Sequence, residues 1–64
     1  MNTQKIGTFI AKKRREKNMT QQELADKLLL TGKTISRWEN GNYMPDLSIL
    51  IELATILDTS VYEL

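Results

Sequence analysis

Signals that start helices recur along this chain at short intervals, and they leave room only for short helices. Thr20-Gln21-Gln22-Glu23 has the form of a capping box, in which the Thr hydroxyl and the Glu carboxylate each satisfy an orphan backbone amide. Ser60-Val61-Tyr62-Glu63 repeats the pattern, Thr31 stands where it can cap a further helix, and Pro45-Asp46 sets a capping carboxylate before an apolar run. Between these signals the periodicity is helical. Ile6, Phe9, Ile10, Lys13, Arg14 and Lys17 fall on one stripe of period 3.6, and Leu24, Ala25 and Leu28 make a shorter one. Ile35 and Trp38 share a face while Lys33, Ser36, Arg37 and Asn40 point the other way. Leu47, Leu50, Leu53, Ala54 and Leu57 form a last core stripe, broadened by Ile49, Ile51 and Ile56. The pattern predicts helices over about 4–17, 21–28, 32–39, 47–57 and 61–64. The expected fold is all-α, five short helices around one core. With 64 residues the chain has material for one domain, because chains of this size bury only about 60% of the surface exposed on unfolding.

Composition narrows the chemistry. Cys and His are both absent, which removes disulfides, thiol chemistry, the usual zinc sites and imidazole acid–base catalysis. No nucleophile–base pair, metal-ligand set or phosphate loop takes their place, so the expectation is a non-enzyme without cofactor or metal. The longest apolar runs, Leu28-Leu29-Leu30 and Ile49-Leu50-Ile51, fall far short of the roughly 20 residues of a membrane-spanning helix. The N-terminus shows no basic stretch followed by an apolar segment, and the expected location is cytoplasmic. Charge is unevenly spread: residues 1–17 carry +5, residues 18–40 are neutral and residues 41–64 carry −4. Such asymmetry hints at a polyanion partner at one face, but a solvated helix face explains most such runs.

Two helices of about eight residues, a short connection, and a Trp on the inner face of the second make the geometry of a helix-turn-helix. Counted from Gln21, the residues Gln21, Ala25, Ile35 and Trp38 occupy the first, fifth, fifteenth and eighteenth positions of a twenty-residue unit. With Arg37-Trp38-Glu39-Asn40-Gly41 they resemble the Cro and lambda-type phage repressor family, often called the XRE family. The resemblance covers nearly the whole chain. Ile6-Gly7, Met19-Thr20-Gln21, Glu23-Leu24-Ala25, Ser36 to Gly41, Pro45-Asp46-Leu47, Ser60-Val61 and Glu63-Leu64 appear in order at the family's spacing. It implies a compact, lambda-repressor-like DNA-binding domain over residues 1–64, with the helix-turn-helix in helices two and three.

The resemblance also implies roles. Helix three enters the major groove, with Gly32, Lys33, Thr34, Ser36 and Arg37 toward the bases. Arg37 suits a bidentate contact to guanine, and Lys33 a guanine or a phosphate. Thr34 and Ser36 offer a hydroxyl contact or meet a thymine methyl, and Gly32 brings the backbone close. Phosphates fall to Thr20, Gln21, Asn40, Asn42 and Tyr43. For Gln21 the positive end of a helix dipole supports the assignment. Lys5, Lys12 and Arg15 add long-range attraction or plain solubility. Arg14 and Glu39 are paired by the resemblance as a structural ion pair between helix one and the end of helix three, and Ala25 is small because helices two and three cross closely there. The implied partner is double-stranded DNA, read by a homodimer through C-terminal helices that here end in Val61, Tyr62 and Leu64.

The chain departs from the family at three positions. Leu29 stands where the unit wants a left-handed glycine, and with Leu28 and Leu30 it makes an apolar spot that serves dimerisation or is simply tolerated. Lys13 replaces a leucine, so its stem has to cover the core while its ammonium reaches solvent. Asp58 replaces a helix-ending glycine. The other function class that such scaffolds host is a protein-interaction module, such as the antitoxin of a toxin–antitoxin pair.

Overall fold

The computed structural model describes residues 2–63, with the Val61 side chain left aside. Its α-helices are α1 (Thr3–Glu16), α2 (Gln21–Lys27), α3 (Gly32–Glu39) and α4 (Leu47–Ile56), and there is no strand among the described residues. The fifth helix expected near the C-terminus is corrected: Val61–Glu63 forms a single 3-10 turn. The Glu63 amide donates to the Ser60 carbonyl, three residues back, at 3.1 Å, which winds the segment more tightly than an α-helix; the Glu63 carboxylate accepts from the Thr59 hydroxyl and, at 3.2 Å, from the Ser60 amide.

Each α-helix begins at a side-chain cap. Asn2 Oδ1 accepts from the Lys5 amide at 3.0 Å, which starts α1 one residue before the expected place. Thr20 Oγ1 accepts from the Glu23 amide at 3.0 Å while Glu23 Oε1 accepts from the Thr20 amide at 2.8 Å, a complete capping box. Thr31 caps α3 through the Thr34 amide at 3.3 Å, and Asp46 caps α4 through the Ile49 amide at 3.0 Å.

The helices also end alike. A residue with positive φ follows each of them: Asn18 at 57°, Leu29 at 58°, Gly41 at 76° and Asp58 at 56°. The amide after it then reaches back to a carbonyl in the last turn: Met19 to Arg14 at 3.1 Å, Leu30 to Ala25 at 2.9 Å, Asn42 to Arg37 at 2.9 Å and Thr59 to Ala54 at 2.9 Å. This closure satisfies orphan carbonyls and turns the chain sharply. Only Gly41 takes the conformation without steric cost. Leu29 carries about 1–2 kcal/mol of strain and is 93% exposed.

The core forms where the four apolar faces meet: Ile6 and Ile10 of α1, Leu24, Ala25 and Leu28 from α2 and its end, Ile35 and Trp38 of α3, and Leu50, Leu53 and Leu57 from α4 and its end. One expected stripe is rotated, and another holds except at its first residue. On α1 the buried face is Ile6, Gly7, Ile10, Ala11 and Arg14, with Phe9 and Lys13 half-buried and Lys17 exposed. The Lys13 nitrogen lies 5.4 Å above the centre of the Phe9 ring and 3.5 Å from Glu16. On α4 Leu47, the first residue of the helix, leaves the core, 67% exposed. Ile51 is half exposed as well.

Gly7 sets how closely α1 approaches α3. A Cβ there would stand 2.1 Å from the Trp38 carbonyl oxygen and 3.0 Å from that of Glu39, so the two backbones are in direct contact. Ala25 of α2 is fully buried in the core.

Gly7→Ala is therefore expected to lower stability by about 2 kcal/mol, and Leu29→Gly to raise it by about 1 kcal/mol, both read from urea midpoints at unchanged m. A second expectation concerns acid. The Ile49 amide, and after it the Ser48 hydroxyl, hold the Asp46 carboxylate below its ordinary pKa. A depressed folded pKa contributes stability above the unfolded value and loses it as pH falls through the folded one. Asp46→Asn keeps a capping oxygen that does not titrate, and its stability–pH curve is expected to be flatter on the acid side.

Candidate nucleic-acid interface

α3 is held from behind and free in front. Ile35 is fully buried and Trp38 is 3% exposed, while Lys33, Arg37 and Asn40 are exposed and Gly32, Thr34, Ser36 and Glu39 half-buried. Among the described residues neither Lys33 nor Arg37 enters an ion pair within the chain; the salt bridges are Lys13–Glu16, Arg14–Glu39 and Lys17–Asp58. Both cations stand one helical turn apart on the same solvent-facing ridge.

The polar residues around them are partly committed. The hydroxyls of Thr31 and Thr34 share a hydrogen bond of 3.2 Å, and Asn40 Nδ2 donates to Ser36 Oγ at 3.2 Å. Thr20 uses its oxygen lone pair as the α2 cap and keeps its proton to donate. Gly32 turns its open side to α2, where a Cβ would lie 2.9 Å from Gln22 Oε1, a contact with the far end of a flexible side chain. Asn42 and Tyr43 are exposed in the stretch after α3. Lys5, Lys12 and Arg15 are exposed on α1.

A buried network fixes the far end of α3. Arg14 Nε donates to Glu39 Oε2 at 2.7 Å and Arg14 Nη2 to Glu39 Oε1 at 3.0 Å, a bidentate pair. The two side chains are 10% and 6% exposed. Arg14 Nη1 donates to the Met19 carbonyl at 2.8 Å, which ties in the loop between α1 and α2. The hydrogen bond to Glu39, working against burial, pushes the Arg14 pKa up and keeps the guanidinium charged. Gln21 completes the set by donating Nε2 to Glu39 Oε1 at 3.0 Å. No buried side-chain nitrogen or oxygen among the described residues lacks a partner.

Sequence reasoning missed two parts of this arrangement. The Gln21–Glu39 bond joins positions 18 apart, and no local spacing announces it. Gly7 was legible as a landmark of the resemblance but not as the contact point on Trp38. The structure brings Arg14, Gln21 and Glu39 together at one end of α3 and spreads Lys33 and Arg37 along its exposed ridge. The C-terminal residues Val61, Tyr62 and Leu64 give less: Tyr62 is fully exposed, while the Val61 side chain and Leu64 lie outside what is described.

A family model described as helix-turn-helix matches residues 10–64. The chain belongs to the XRE-type helix-turn-helix family. It is 40% identical over 52 residues to the uncharacterised HTH-type transcriptional regulator YqaE of Bacillus subtilis (strain 168), over 81% of this chain and 45% of that protein. It is 33% identical over 58 residues to the ImmF control region 10 kDa protein of Bacillus phage phi105, over 91% of this chain and 64% of that one. The chain thus spans about half the length of the first relative and under two thirds of the second. The helices α2 and α3, and the turn that contains Leu29, lie within the matched residues.

Glu39→Gln leaves a buried guanidinium without its counter-charge and is expected to cost about 3 kcal/mol. Lys17→Gln breaks a pair 3.8 Å apart whose side chains are 39% and 87% exposed, with an expected cost under about 1 kcal/mol. Thermal unfolding followed by circular dichroism compares the two.

Proposed function

We propose that residues 1–64 are one sequence-specific, double-stranded DNA-binding domain of a cytoplasmic transcription regulator without catalytic activity, acting as a repressor. The observation that carries the reading is the pair Lys33 and Arg37, exposed on α3 and in no ion pair among the described residues, opposite the buried Ile35 and Trp38. A helix anchored by its apolar back with two free cations in front is suited to the major groove. Arg37 donates two hydrogen bonds to a guanine, Lys33 meets a guanine or a neighbouring phosphate, and Thr34, Ser36 and the Gly32 backbone approach the remaining base edges. Thr20, Gln21, Asn40, Asn42 and Tyr43 hold phosphates on either side. Gln21 has a second amide proton beyond the one given to Glu39, so the buried pair orients the group that meets the backbone. The family membership supports this, as do relatives named as a transcriptional regulator and a phage control-region protein.

Eight residues of α3 span about 12 Å, enough for only a few base pairs. Useful selectivity then takes a homodimer, formed through the C-terminal region, on a two-fold operator whose half-sites lie about 34 Å apart.

Selection of bound duplexes from a random pool is expected to return a two-fold site. On that site Arg37→Ala is expected to cost about 1–3 kcal/mol and relax preference at one or two base pairs, whereas Gln21→Ala weakens all sequences alike. Equal losses of both kinds for the two variants contradict the assignment. Affinity is expected to fall with salt at a log–log slope of about −0.9 per phosphate held, and a protein partner bound without salt dependence favours the antitoxin-like reading instead.

A further inference from the structure

We propose that the groove between the end of α2 and α4 is a self-association face that binds a second copy of this chain. It is separate from the α3 ridge and from the C-terminal turn, and it does not rest on DNA binding.

The groove, about 550 Å³, lies between Leu29 at the end of α2 and Ile49, Ile51 and Ile56 of α4, and Lys27 and Glu52 stand on the same walls. Leu29 is 93% and Ile51 52% exposed, among the largest apolar exposures described in the chain. Leu29 is also held at a φ of 58°, a conformation that a leucine adopts at a cost and a glycine does not. Within one chain the side chain recovers little of that cost, since the residue stays 93% exposed. Burial against another surface recovers it.

Charge selects the second copy as the covering surface. Lys27 and Glu52 are both exposed, and among the described residues neither enters an ion pair within the chain. A patch bearing one free cation and one free anion around an apolar centre is complementary to itself. Under a two-fold axis Lys27 of each copy meets Glu52 of the other while Leu29 and Ile51 pack across the middle. Eight residues line the groove against roughly 20–30 per side in a standard interface, so the dimer is weak and forms at high concentration.

Sedimentation equilibrium over a wide concentration range, without DNA, tests the proposal. The wild-type chain is expected to associate reversibly. Leu29→Gly relieves strain and so stays folded, and it is expected to weaken association about tenfold. Lys27→Glu and Glu52→Lys are each expected to weaken it by a similar factor, and the double variant K27E/E52K to restore it. A wild-type chain that stays monomeric throughout, leaving the groove to a helix of another protein, overturns the proposal. So does association that Leu29→Gly and the single charge reversals leave unchanged, because the contact then lies elsewhere, as at the C-terminal turn.

Discussion

A single buried ion pair holds this small fold in its working shape. Arg14 and Glu39 lie 25 residues apart in sequence and meet at 2.7 Å, where α1 crosses the end of α3. A charge removed from water at this depth is tolerable only with its full complement of partners. Glu39 takes two bonds from Arg14 and one from Gln21, and Arg14 gives its remaining fork to the Met19 carbonyl. The demand for those partners fixes α1, the following loop, the start of α2 and the end of α3 against one another. An apolar contact would tolerate sliding; a bidentate guanidinium–carboxylate pair does not.

The pair works only because the backbones come so close. Gly7 lets α1 rest on the Trp38 and Glu39 carbonyls, and any side chain at that position would force the helices apart and stretch the bonds from Arg14. On the α2 side, Ala25 is fully buried. α3 is thus in direct backbone contact with α1, backed by the core, and left open on its outer side. Exposure of Lys33 and Arg37 follows from this support, since a helix eight residues long has too little length to stay ordered alone.

Much of the architecture was legible because its causes are local. Thr20 with Glu23, Thr31 and Asp46 mark helix starts through bonds that reach only three residues ahead, and Ile35 and Trp38 fix by periodicity which side of α3 faces out. The family position at Leu29 calls for a left-handed glycine, but a leucine there left the shape of the turn open, and only the structure fixes its φ at 58°. What was not legible depends on how the elements meet. Leu47 shares the heptad-like spacing of Leu50, Leu53 and Leu57, yet only the packed assembly decides that the core ends before it. The Gln21–Glu39 bond and the contact beneath Gly7 arise between residues with no sequence relation. The last segment has a capping box in sequence and a 3-10 turn in structure, a choice that helix propensity over so few residues cannot make.

The claim that the Arg14–Glu39 pair positions α3 is tested most directly by a double-mutant cycle on folding stability. Arg14→Met, Glu39→Leu and the double variant are compared with the wild-type chain by urea unfolding. Each single variant strands a buried charge, and the double variant strands none, so a coupling of about 2 kcal/mol or more is expected. A coupling under about 0.5 kcal/mol, the range of an exposed surface pair, would contradict the account.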